Sequence, residues 1–240
     1  MPPDETAPIT PAEAAAIADG FITSRGMRFP KHPDIIRGKV RRLLRTNGYE
    51  AKEADAALRI VKKDDVVLEL GGGIGYMSTL VATKRAIKSV HSFEANPHLI
   101  PYIQKVHAAN NVRNAHVTNA ILGTRKGTVD FYVRDPMLGS SMDVLEGEVD
   151  PPSIKVDVLN AKTVFKEIKP TVLICDIEGA EADLIPKLDL TGIRAAILET
   201  HPQWIGPAGI NAVFKAFMDA GLAYYHRGSH GKVLCFRDQW

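Results

Sequence analysis

Five short apolar, β-branched runs recur along the chain: DVVLEL (65–70), SVHSFE (89–94), AHVTNA (115–120), TVLICDI (171–177) and AAILET (195–200). Between them lie helix-like stretches that begin near Gly75, Pro97, Asn160, Gly179 and Pro207. Runs of this kind lack strict alternation because both of their faces are buried, and their interleaving with amphipathic helices predicts a parallel sheet covered on both sides. The fold class is therefore α/β and doubly wound. The chain's end breaks the pattern. LAYYHRG and KVLCFRD flank Ser229, His230 and Gly231, which reads as a β-hairpin, so one of its strands must run antiparallel to the rest.

A chain of 240 residues that is 45% hydrophobic is long enough for one main core. Cys175 and Cys235 both sit in apolar stretches and form no metal-like pair, which predicts buried, reduced thiols. The first residues carry acids and prolines where a signal peptide needs a basic start and an apolar run, and no transmembrane segment is expected. A cytoplasmic protein is the expectation. Residues 1–63 read as a leader and a helical cap: PAEAAAIAD after Thr10, then DIIRGKVRRLLRTNG with Ile35, Ile36, Val40, Leu43 and Leu44 as its stripe, then KEADAALRIV. Residues 64–240 form the main domain. The cap is basic, with Arg25, Arg28, Lys31, Arg37, Lys39, Arg41, Arg42 and Arg45 against Asp34, a solvated face or a rim that attracts an anion. A net charge of +2 does not by itself imply nucleic acid, and few aromatic residues accompany these cations.

In open α/β sheets ligands bind beyond the carboxyl ends of the strands, where the first strand here runs into LELGGGIGYMSTL (68–80). A dinucleotide fingerprint spaces its glycines G-x-G-x-x-G so that a pyrophosphate rests on the helix N-terminus. Gly71, Gly73 and Gly75 are instead spaced G-x-G-x-G, with Glu69 two residues ahead. A carboxylate at that strand tip repels a diphosphate and suits a cation, such as the ammonium of an amino acid, reached directly or through water. S-adenosylmethionine offers that ammonium and no phosphate. Glu94, at the end of the second strand, is placed to accept both ribose hydroxyls, with Ala95 beside it. Asn119, followed by Ala120, either meets the adenine edge or closes a turn, and Tyr76 either lies against the methionine portion or packs on its helix.

These motifs resemble the class I S-adenosylmethionine-dependent methyltransferases, and more narrowly the FkbM family. The narrower likeness rests on NAILGTRKGTVDFYV (119–133), GSSM (139–142), LICDIEGAEADLI (173–185) and ILETHP (197–202), and it spans about residues 64–227. The D-x-E-G-x-E block is its most specific part, and the sequence departs from the family at Ile174, where lysine is common. The resemblance implies a Rossmann-like seven-stranded sheet, mostly parallel, and methylation of a hydroxyl on a small molecule, sugar or glycan precursor.

For that chemistry the protein must align an oxygen and remove its proton. Asp176 falls at the tip of the fourth parallel strand, with Glu178 and Glu181 expected in the first turn of the next helix. Hydrogen bonding to substrate, general base catalysis and a divalent cation site all remain open for these carboxylates. Glu199 and His201, at the tip of the fifth strand, could complete a metal set with Asp176, while His201 is the better candidate base because imidazole titrates near neutrality. Ser140 and Ser141 are expected to touch donor or acceptor from the loop, and Glu181 the substrate. RNA methylation or nucleic-acid binding through the basic cap is the second reading, and an NAD-dependent oxidoreductase the third.

Overall fold

The computed structural model of the protein describes residues 20–133 and 152–239. The helix expected over PAEAAAIAD, and Ser140 and Ser141, lie outside the described residues. The chain begins with a β-hairpin, β1 (Phe21–Ser24) and β2 (Met27–Pro30), closed by Arg25 and Gly26 at φ 47° and 73°. Two residues of positive φ give the primed turn whose twist matches the strands. This hairpin corrects the expectation of a purely helical cap. Alternate residues Ile22, Met27 and Phe29 are buried, so the segment needs the core beneath it more than it needs helix propensity.

Helix α1 (Gly38–Arg45) starts four residues later than its apolar stripe suggests, because Gly38 stands at φ 48° and a right-handed helix cannot run through it. Ile35 and Ile36 are buried in the turn ahead of it. Helix α2 (Ala51–Ile60) follows, buried through Ala54, Ala57 and Ile60. Then come β3 (Val66–Leu70), α3 (Tyr76–Lys84), β4 (Ser89–Glu94), α4 (Ile100–Ala109) and β5 (Ala115–Asn119). Strands β6 (Ile121–Gly123), β7 (Gly127–Tyr132) and β8 (Ser153–Asn160) form a separate small sheet in the order β6-β8-β7. Helix α5 (Ala161–Ile168) is capped by Asn160, whose side chain accepts from the Thr163 N–H at 3.0 Å.

The second half holds β9 (Val172–Cys175), the short helix α6 (Glu181–Leu184), β10 (Ala195–Glu199), α7 (Pro202–Asp219), β11 (Ala223–Tyr224) and β12 (Val233–Arg237). Helix α7 starts at Pro202, and the expected start at Pro207 marks a kink after Gly206, whose φ/ψ is 60°/−177°. The main sheet has seven strands in the order β11-β12-β10-β9-β3-β4-β5. All neighbours from β10 to β5 are parallel, and β12 runs antiparallel to both β10 and β11, as the terminal hairpin required.

Alternation along the strands divides the interior into two layers. Val67, Val172, Ile174, Ile197 and Cys235 face α2, α3, α4 and the N-terminal hairpin, whereas Leu68, Leu70, Leu173, Leu198 and Phe236 face α5 and α7. The described part of the leader therefore shares the core of the main sheet. Both cysteines are buried free thiols, one in each layer. Among the described residues, no helix is long and apolar enough to cross a membrane.

Candidate active site

The carboxyl ends of β3, β4, β9 and β10 open into a cavity of about 770 Å³, within the range of about 300–1,000 Å³ that small ligands occupy. The small sheet supplies one wall through Leu122, Val129, Phe131 and Val158, and the cap supplies another through Lys39, Val40, Leu43, Tyr49 and Glu50. Val129, Phe131 and Val158, near the two ends of the segment 127–160, thus border the ligand space.

At one end lies the glycine turn. Gly71 is at φ 87°, and a Cβ there would sit 1.8 Å from the Asp176 carbonyl oxygen, so only hydrogen fits between the β3 and β9 tips. Gly75 likewise leaves no room for a side chain, since its Cβ would meet Ile103 Cγ2 at 2.9 Å. Gly71 and Gly73 line the cavity together with Glu94, Ala95 and Ala120. The Gly73 N–H donates to Glu94 Oε2 and the Asn96 N–H to Glu94 Oε1, both at 2.7 Å. Burial pushes the Glu94 carboxyl up to about 7, against the pull of these amides.

Four of the expected donor residues stand behind this wall. Glu69 is 1% exposed and accepts the Ser78 N–H at 3.0 Å on Oε1, tying β3 to α3; burial lifts its carboxyl to about 7. It does not line the cavity, since the alternation of β3 turns residue 69 to the helix layer, and its Oε2 is buried without a partner; direct contact with the donor's ammonium is thus not what the structure shows. Tyr76 is fully buried, stacked on Phe29 with ring centroids 5.4 Å apart and 3.3 Å from the Ser24 hydroxyl. It is a core residue of α3. Gly75 packs against α4, and Asn119 Nδ2 donates to the carbonyls of Glu94 (2.9 Å) and Ala95 (2.8 Å), closing the strand end rather than reaching the cavity.

At the other end, Asp176, Glu178 and Glu199 line the cavity. Cys175 and Leu198 are paired in register, so Asp176 and Glu199 leave neighbouring strand tips side by side. Glu178 precedes helix α6 at φ 52° and sends Oε2 to His201 Nε2 at 3.2 Å. Glu181, fully buried, accepts from His201 Nδ1 at 2.8 Å and from the Gly179 N–H at 3.1 Å on the same oxygen. Its burial removes it from the expected contact with substrate. It holds the imidazole instead, whose other side is covered by Trp204 at 5.0 Å in a stacked arrangement.

Burial alone would lower the pKa of His201, but its hydrogen bonds to Glu178 and Glu181 and their charges prevail and raise it to about 10. That shift favours the imidazolium and weighs against His201 as the general base. Asp176 is raised too: burial first, then Glu178 and Glu199, push it up to about 8 in spite of His201. Once ionised, a carboxylate of that affinity is a stronger proton acceptor than an ordinary one. Sequence reasoning missed Glu50, which stands in left-handed conformation at φ 42° and lines the cavity; burial and then Asp176 hold its carboxyl well above the ordinary range. Its signal was an isolated acid closing a basic segment.

A seven-stranded, mostly parallel sheet with one reversed strand and a ligand space beyond its carboxyl edge defines the Rossmann-like methyltransferase fold. No protein-family model and no curated protein matches the chain. Among solved structures it is similar to PH0793 of Pyrococcus horikoshii, provisionally described as a transferase, at 15% identity and a TM-score of 0.51 over 90% of this chain and 70% of that one. TYW2 of P. horikoshii, solved with MeSAdo, aligns at 13% identity and a TM-score of 0.50 over 89% of this chain and 67% of that one. Trm5b of Pyrococcus abyssi aligns at 15% identity with a TM-score of 0.49, and this chain spans 55% of its length.

Proposed function

We propose that the protein is an S-adenosylmethionine-dependent methyltransferase, and more narrowly an FkbM-like O-methyltransferase acting on a hydroxyl of a small molecule, sugar or glycan precursor. One observation carries the donor: among the described residues six carboxyl groups, those of Glu50, Glu94, Asp176, Glu178, Asp183 and Glu199, line the cavity against two lysines, Lys39 and Lys187, and the raised proton affinity of Glu50, Glu94 and Asp176 is what a bound cation would relieve. Such a field favours a cationic sulfonium donor and opposes the diphosphate of NAD. The donor supplies an electrophilic methyl group on sulfur.

The chain's own part is to bind, orient and deprotonate. Glu94, fixed by Gly73 and Asn96, keeps further acceptor capacity for ribose hydroxyls, and Ala95 and Ala120 leave room for a flat base. Asp176 accepts the hydroxyl proton on its carboxylate, while Glu181 and Glu178 keep His201 charged and fixed beside it. Isothermal titration with S-adenosylhomocysteine and with NAD tests the donor. Binding of the first and not the second is expected, and the reverse result overturns the reading.

RNA as acceptor is a second reading, favoured by α1, which exposes Arg41, Arg42 and Arg45 and brings Lys39 to the cavity. Offered labelled donor with a panel of hydroxylated sugars, glycolipids and RNA, the protein is expected to label the first two classes. Labelling of RNA alone, with affinity falling steeply with salt, would establish the second reading instead.

A further inference from the structure

Asp176 follows β9 while Glu199 and His201 lie between the end of β10 and the start of α7, yet each offers one ligand atom and these atoms lie within 4.8 Å of one another. Sheet register fixes two of them side by side, and His201 is fixed as the residue that caps α7. His201 is 4% exposed and its Nδ1 is committed to the fully buried Glu181, so Nε2 is the nitrogen left for an ion; it stands 3.8 Å from Asp176 Oδ1 and 3.2 Å from Glu178 Oε2, a contact that the ion would replace. A buried carboxylate on the far imidazole nitrogen is the arrangement that orients histidines toward metal ions.

A second observation points to a cation independently of the cluster. Asp176 Oδ1 is sealed from solvent, although its side chain as a whole is 36% exposed, and it accepts no hydrogen bond; His201 Nε2 is 3.8 Å away, beyond hydrogen-bonding range. A buried acceptor without a donor is costly, and a metal ion placed between these atoms removes that cost.

We propose that Asp176, Glu199 and His201 bind one divalent metal ion. Two carboxylate oxygens suit Mn²⁺, and the imidazole nitrogen extends the set to first-row ions such as Fe²⁺ and Zn²⁺; Mn²⁺ is the one that can be followed by its spin. Glu178 stays outside the three ligands. What the ion would do rests on the methyl-transfer reading: it would supply Lewis acidity beside the acceptor hydroxyl, with the Asp176 oxygen that does not hold the ion still placed to take the proton.

The test is a Mn²⁺ titration of the full chain, stripped with EDTA and dialysed, read as loss of the free-ion electron paramagnetic resonance signal. One Mn²⁺ per chain is expected, with nitrogen modulation in the spin echo that disappears in His201→Asn. Asp176→Asn and Glu199→Gln should each weaken uptake more than tenfold, and Glu181→Gln by about 10- to 100-fold through the orientation of His201. No saturable uptake by the unaltered protein overturns the proposal, as does uptake that Asp176→Asn and Glu199→Gln leave unchanged. Calorimetry with S-adenosylhomocysteine on the same samples separates the two ideas: Mn²⁺ without the nucleoside removes the methyl-transfer reading alone, and the nucleoside without Mn²⁺ removes the metal alone.

Discussion

Carboxylates at the two ends of the cavity are treated in opposite ways. At the glycine turn, Glu94 spends both oxygens on the N–H groups of Gly73 and Asn96, and Glu69 spends one on Ser78 while its Oε2 has no partner, so that backbone amides offset part of the burial. At the β9 and β10 tips, Asp176, Glu178 and Glu199 crowd one another around a single imidazole, and Asp176 Oδ1 accepts no hydrogen bond. The first end is built to hold a shape. The second holds excess charge for a partner, since like charges in a low-dielectric site raise proton affinity unless a cation arrives.

The largest expected effect separates these ends by kinetics. Asp176→Asn should cut turnover by about 10²- to 10⁴-fold, the usual share of a general base or ligand, while affinity for S-adenosylhomocysteine stays within a few fold. Equal loss of both in steady-state and calorimetric measurements would merge the two ends into one. Gly71→Ala attacks the joint between them. Its methyl group would collide with the Asp176 carbonyl and its backbone would keep φ near 87°, so stability should fall by about 1–3 kcal/mol from conformation alone and donor affinity with it, in thermal melts and titration.

The glycine turn was legible in the sequence because neighbours along the chain build it: the order strand, glycines, helix already determines where Gly71 and Gly73 stand. Glu94 and Asp176 were legible for a similar reason, as residues at strand ends. Side-chain direction was not. For Glu69 a period of two decides which layer it enters, and that depends on which side of the sheet the glycine loop closes. Glu50 was missed since nothing local brings it to Asp176, and Glu178 and Glu181 were separated only by the left-handed turn at 178. The N-terminal hairpin escaped notice because its basic residues hid an alternation only four residues long in each strand.

Glu69 offers a smaller test of the amide-compensated end. Its folded carboxyl titrates near 7 against an ordinary value of 4.5, so the native state holds a proton that the unfolded chain has lost between those values. Stability from this group is complete below about pH 4.5 and declines as pH rises to about 7. Glu69→Gln, which can still accept from Ser78 and never ionises, should therefore be more stable by about 2–3 kcal/mol at pH 8, with the gain gone at pH 4.5, by denaturant titration. The smallest effect is expected at Tyr76. Removing its hydroxyl in Tyr76→Phe should cost under about 1 kcal/mol, the contact with Ser24, and leave donor affinity unchanged; a tenfold loss in calorimetry would return the ring to the binding surface.

The fit of Gly71 against Asp176 has a mechanical consequence. With space for a hydrogen atom and no more between that α-carbon and the neighbouring carbonyl, the bend that cradles one reactant and the strand tip that serves the other move as a single rigid piece. Seating a nucleoside on the bend is thereby transmitted directly to the tip, with no hinge or swinging lid required to align the two.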